Sequence, residues 1–250
     1  MFKQVDGADW SRHRRSTAVA FSETVHEAVW ITSCAEASDM LKHFMSQEYV
    51  SSTHPNMIRL SFTVLLKACL GLDDNSGADA ASPINNAAKT HLEAFFNMIS
   101  RNPDIRRGGR KSLVSFHASH QGIQSVMESL VKYRRDHPSS KKDLLSSMLS
   151  SQDAHMLSNE EIESNLFLFM FAGHETTANT LVYMIYLLAV FPEWQTWVVQ
   201  EIDQIFSDVP LDNKMPYKDI FNRLTRLKAV MVSHFYSESM LENYLTRYLA

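Results

Sequence analysis

Asn165-Leu166-Phe167-Leu168-Phe169-Met170-Phe171-Ala172-Gly173-His174-Glu175-Thr176-Thr177 is the stretch on which the fold turns. An apolar run gives way to two small residues, an imidazole, a carboxylate and two hydroxyls. Apolar residues then return at Leu181-Val182-Tyr183-Met184-Ile185-Tyr186-Leu187-Leu188. Upstream, Ser158-Asn159-Glu160-Glu161 has the form of a capping box, with Ser158 as N-cap and Glu161 at the third helical position. The helix it opens is expected to run to Phe191-Pro192 and, at 1.5 Å per residue, to be about 50 Å long. A carboxylate at a bilayer midplane costs roughly 2.5–3.5 kcal/mol, so the spacing is read as a buried helix of a folded domain rather than a membrane span.

With Thr176 as origin, Phe169, Ala172, Gly173, Thr180 and Tyr183 lie at helical offsets that put them on one face. Small residues at Ala172 and Gly173 let a flat or bulky group approach the backbone. Glycine also weakens the helical ladder, where a threonine hydroxyl can bond a freed carbonyl. Glu175 adds a carboxylate able to move protons. Such groups in an apolar helix are costly unless a ligand or water network uses them. The plainer alternative is a close helix crossing at Ala172-Gly173. A zinc reading of His174-Glu175 fails, because the second histidine it needs is replaced by Ala178, and no metal-ligating residue set is expected.

Working outward, 45% hydrophobic and 21% charged residues over 250 positions describe a folded protein with a sizeable core. Seven glycines and seven prolines are few for a β protein rich in tight turns, so the fold class is mainly α. A net charge of −4 offers nucleic acid no electrostatic footprint. Cys34 and Cys69 are too few for a disulfide framework. Helices are expected at about Trp10–Phe21 behind an N-cap at Asp9, and at His26–Ser46 with Val29, Ala37, Leu41 and Phe44 on one side. Others are expected at Pro55–Leu72 with Gly71 as its stop, Asn85–Ile99, Leu113–His137, Asp143–Ser151 and Glu193–Phe206.

The central stretch resembles the long haem-crossing helix of the cytochrome P-450 family of haem-thiolate monooxygenases, in its eukaryotic microsomal-like form. In that family the Ala-Gly pair opens a groove over the haem, and the following acid and first threonine deliver protons to bound dioxygen. By position the resemblance implies those roles for Ala172 and Gly173 and for Glu175 and Thr176. Trp10-Ser11-Arg12-His13-Arg14 is similar to the family's W-x-x-x-R element, whose indole and guanidinium meet haem propionates, which implies cofactor contacts for Trp10 and Arg14. Phe169 is the side chain placed beside a substrate. The likeness continues through Asp143-Leu144-Leu145, Leu157 to Ile162, Pro192-Glu193-Trp194-Gln195 and Leu227 to Met231.

Beyond Met231 the pattern stops. The family's E-x-x-R pair would fall near Ser233 and Tyr236, and the haem-cysteine loop F-x-x-G-x-x-x-C-x-G is not found. Phe62 to Gly71 carries the Phe, Cys and Gly of that loop at the right spacing, but Leu65 stands where its first glycine belongs, inside a helical pattern. Cys34 is read as core. The organisation expected is a partial cytochrome P-450 domain over residues 1–231, truncated at both ends, with a divergent tail over 232–250. The resemblance implies haem, a small organic substrate, an electron-donating reductase and, for full-length members, the cytosolic face of the endoplasmic reticulum membrane. With no anchor visible, this chain is expected to be soluble or aggregated in the cytosol. It is also expected to lack thiolate-ligated haem and to be an incomplete, inactive form of the monooxygenase. Readings of another class are a non-catalytic helical binding protein and a gene-model fragment without function.

Overall fold

The computed structural model describes residues 6–18, 21–72, 124–138, 143–151, 157–207 and 217–233, and every regular element among them is helical. Helices α1 (Gly7–Ala18), α2 (Glu23–Met45) and α3 (His54–Val64) come first, and α3 runs straight into a π-helical turn at Leu65–Cys69. Residues 124–136 form α4. Then follow α5 (Leu144–Ser151), α6 (Asn159–Val190), α7 (Pro192–Phe206), α8 (Tyr217–Arg223) and α9 (Thr225–Ser233). The helix expected at Asn85–Ile99, the first part of that at Leu113–His137 and the chain beyond Ser233 lie outside the described residues. No single helix among the described residues is long and apolar enough to cross a membrane.

The chain divides into two compact units, Met1–Thr32 with Phe62–Gly173, and Ser33–Ser61 with His174–Ala250. In the first, Leu66, Leu70, Met127, Leu145, Met148, Ile162, Leu166 and Met170 form a core supplied by the π turn and by α4, α5 and α6. Full burial of such a side chain contributes about 1.5–3 kcal/mol. The sequence spacing leads to one uninterrupted helix through Leu72, but the last turn widens. Leu70 N–H bonds the Leu65 carbonyl, and Leu72 N–H bonds that of Leu66 at 3.0 Å. Gly71 ends it at φ +65, the helix stop expected there.

A buried ion pair packs against that stop. Arg134 Nη1 donates to Asp143 Oδ2 at 2.6 Å and to Ser146 Oγ at 2.9 Å, and Nη2 donates to the Leu70 carbonyl at 3.1 Å. Asp143 Oδ1 meanwhile accepts the Ser146 N–H at 2.7 Å, capping α5. A Cβ on Gly71 would lie 2.5 Å from Asp143 Oδ2, so glycine is required there for space as well as for φ. The pair is tolerable in the core because these bonds satisfy both charges.

In the second unit Glu201 of α7, 6% exposed, caps a different helix. Its Oε1 accepts from Thr225 N–H, Thr225 Oγ1 and Arg226 N–H, each at 2.8 Å, and its Oε2 accepts Leu227 N–H at 3.1 Å. A carboxylate at the N-terminus of α9 meets donors that no helical carbonyl can reach.

The structure refines one sequence expectation and changes another. In α2 Val25 is buried and Val29, Ala37 and Phe44 of the expected stripe are half-buried, while Leu41 on that stripe is 56% exposed. Helical spacing says which residues share a face, not whether a neighbour covers it. The long helix α6 is not buried all round. Ile162, Leu166, Met170, His174 and Ala178 form a covered line at four-residue spacing, whereas Phe171, Ala172, Thr176 and Thr177 are exposed.

Candidate active site

The first turn of α6 is built as its capping box requires. Ser158 N–H donates to Glu161 Oε2 at 2.7 Å, and Glu161 N–H returns to Ser158 Oγ at 3.3 Å. The same carboxylate receives α1. Arg12 donates through Nη1 and Nη2 to the two Glu161 oxygens at 2.9 and 2.6 Å, and His13 Nε2 lies 3.1 Å from Oε1. The Arg12 hydrogen bonds hold the Glu161 carboxyl down at about 2, with smaller help from Ser158 N–H and His13, against the opposing effect of burial. Two residues further on, burial pushes Glu163 up to about 7, with Glu128 and Glu160 adding like charge.

These contacts step along one stripe of α6. Glu161, Asn165, Phe169, Ala172 and Thr176 follow one another by four, four, three and four residues. His13 Nδ1 lies 3.3 Å from Asn165 Nδ2, and Phe21 meets Phe169 edge-on with ring centroids 5.1 Å apart. Arg12, His13 and Phe21 therefore cover the beginning of the stripe, and its continuation at Ala172 and Thr176 is exposed.

Each residue singled out in the sequence now has a place. Trp10 and Arg14 share the open side of α1, with the Arg14 guanidinium 5.4 Å above the indole and Trp10 51% exposed. Arg12 and His13, between them in sequence, bind α1 to α6. Gly173 belongs to packing, since a Cβ there would lie 3.3 Å from Leu65 Cδ1 of the π turn. Ala172 instead faces outward. The close-crossing reading of the Ala-Gly pair therefore describes Gly173. Glu175 is part-buried, Thr176 is exposed, and the Thr180 hydroxyl donates to the Thr176 carbonyl at 3.0 Å. The helix is unbroken through this turn.

Sequence reasoning missed Arg12, His13 and Ser61. Ser61 of α3 donates its hydroxyl to the His174 carbonyl at 2.8 Å. No local signal marks such a pair, because its members are more than a hundred residues apart. The acidic third position of the capping box did mark Glu161, though not its second use.

Haem is the group that the family resemblance implies, and the residues fit it on one side only. Small outward Ala172 suits a flat apolar group, and the paired indole and guanidinium donors of Trp10 and Arg14 suit its carboxylate arms. The thiols do not suit an axial thiolate. Burial pushes Cys69 up to about 12, Asp143 adding to the effect, and burial also raises Cys34. Among the described residues no group of three or more His, Cys, Asp or Glu is placed to hold a metal ion.

A cytochrome P450 monooxygenase of Postia placenta is 25% identical over 249 residues, covering 90% of this chain and 46% of the relative. A bifunctional cytochrome P450/NADPH–P450 reductase of Fusarium oxysporum is 33% identical over 130 residues, 49% of this chain and 12% of that protein. The fold matches a solved zebra fish cytochrome P450 with TM-score 0.67 at 18% identity, covering 91% of this chain and 53% of that one. The chain therefore spans less than half the length of the full-length Postia placenta relative. The cytochrome P450 family model matches residues 3–231, and the chain belongs to that family.

Proposed function

We propose that this chain contributes the oxygen-side helix and the carboxylate-binding helix of a haem-dependent monooxygenase, which inserts one oxygen atom from O2 into a small organic substrate with electrons from a reductase. The observation that carries the reading is the outward placement of Ala172 and Thr176, one turn apart on the stretch of α6 that α1 leaves open. Haem, when bound, supplies the activation of dioxygen. Ala172 keeps that face shallow, so a planar group can lie close to the helix. The Thr176 hydroxyl can both donate and accept, and the Glu175 carboxylate beside it can exchange protons with water. Trp10 and Arg14 would hold the haem's carboxylate arm by charge-assisted hydrogen bonds. Phe169, already against Phe21, borders the substrate. Relatives fused to a reductase support the choice of electron donor.

In this reading residues 1–231 form a partial domain and 232–250 a divergent tail, with full-length members at the cytosolic face of the endoplasmic reticulum. In the same reading the 250-residue chain by itself holds no thiolate-ligated haem and is inactive, which the burial raising both thiols supports. Two measurements on the purified chain test this. Haem reduced under carbon monoxide should lack the red-shifted band of thiolate ligation, and a strong band would overturn the inactive assignment. Haem titration should weaken by about tenfold in Arg14→Ala, through loss of a charge-assisted hydrogen bond. Equal affinity would remove Arg14 from the cofactor site.

The exposure of Phe171, Tyr183, Ile185 and Tyr186 along α6 favours a second reading, a non-catalytic helical protein that binds a partner or lipid. A monomeric chain that unfolds cooperatively without haem would support it. Insoluble expression would support a fragment with no function of its own.

A further inference from the structure

On either side of the turn that carries Glu175, Thr176 and Thr177, α3 makes two polar contacts with α6. Ser61, 6% exposed, donates to the His174 carbonyl at 2.8 Å while lying 3.1 Å from the Ile58 carbonyl of its own helix. Seven residues earlier, on the same face of α3, His54 Nε2 lies 3.0 Å from Asn179 Oδ1. An amide oxygen only accepts, so the imidazole is the donor. All four residues belong to the same compact unit.

The His174 carbonyl already has the Ala178 N–H as its helical donor, and the Ser61 hydroxyl uses its second lone pair. A hydroxyl that only needed satisfying would be served by Ile58 alone. Its additional reach to α6 ties two helices at a backbone atom, one residue before Glu175. The second contact falls two residues after Thr177. The two therefore bracket the three polar residues along the helix, and Thr176 and Thr177 stay exposed between them.

We infer that Ser61 and His54 are positioning residues, a two-point splint by which α3 holds the Glu175–Thr177 turn in place from its two ends. The functional half of this statement rests on the proton-delivery reading of Glu175 and Thr176. The splint itself is independent of haem.

Amide hydrogen exchange and the carbonyl ¹³C resonance of His174, both read by NMR on the full 250-residue chain, test it. Ser61→Ala should speed exchange of the amides from Glu175 to Asn179 by about fivefold and move the His174 carbonyl signal. Protection in α7 should stay unchanged. Ser61→Thr, which keeps the hydroxyl, should restore both readouts, and His54→Ala should show a smaller effect centred on Asn179. An unmoved His174 resonance in Ser61→Ala, or faster exchange spread evenly over all helices, would overturn the splint. Should Ser61→Ala not fold, Ser61→Cys keeps the volume with a weaker donor and is read the same way. If the chain takes up no haem yet the His174 signal moves, the functional reading falls and the splint stands. If haem binds and the signal does not move, the splint alone falls.

Discussion

Along one side of α6, Ile162, Leu166, Met170, His174 and Ala178 recur every four residues and are all buried; along the other, Ala172, Thr176 and Tyr183 are exposed. Polarity does not separate the two sides. His174 is 1% exposed, while Leu168 and Phe171 are 46% and 42% exposed. The difference lies in the neighbours: core helices and Ser61 meet the first side, and among the described residues α1 and Phe21 meet the second at Glu161, Asn165 and Phe169. Stability is concentrated on the covered side, and the proposed chemistry is carried where cover ends.

The comparison breaks most clearly at Leu166, which is fully buried. Leu166→Ala should cost about 2–5 kcal/mol, read as a fall in denaturation midpoint at unchanged slope. A loss below about 1 kcal/mol would mean that the covered side is not where stability resides.

The next effect is at the N-terminal end of the open stripe, where Glu161 joins α1 to α6. Its folded carboxyl is lowered from 4.5 to about 2, so it favours the folded state above the ordinary carboxylate range, and that contribution disappears as pH falls from about 4.5 to about 2. Glu163 works with opposite sign. Raised from 4.5 to about 7, it favours folding at low pH and loses that effect as pH rises through this interval. Glu161→Gln should therefore flatten the acid limb of the stability profile and leave the limb between about pH 4.5 and 7 in place. An unchanged acid limb would show that the α1 contact does not depend on this charge.

Smallest of all is the expected stability change at Thr176. Thr176→Ala should shift unfolding by no more than about 0.5 kcal/mol, because the side chain is exposed. A loss above about 2 kcal/mol would make Thr176 a structural residue and erase the contrast between the two sides.

Much of α6 was legible in advance because its signals are local. Ser158 and Glu161 lie three residues apart, within the first turn they cap. Gly71 takes the positive φ that a helix stop needs. The shared face of Phe169, Ala172 and Thr176 follows from helical pitch, and the family follows from residue types kept in order. Local spacing did not reveal the π turn, whose first residue packs on Gly173. Nor did it reveal the capping of α9 by Glu201, whose partner Thr225 is 24 residues away.

By itself, then, the amino-acid sequence determined that the chain is helical, where α6 starts, which residues share its faces and to which family it belongs. All of these depend on residues within a few positions of one another or on their order along the chain. Only the tertiary structure decided which side of α6 is covered, that Gly173 packs while Ala172 faces outward, and that Arg12, His13 and Ser61 hold the helix from other parts of the chain. Burial and hydrogen bonding between distant segments are set by which surfaces come together on folding, and helical periodicity carries no information about that choice.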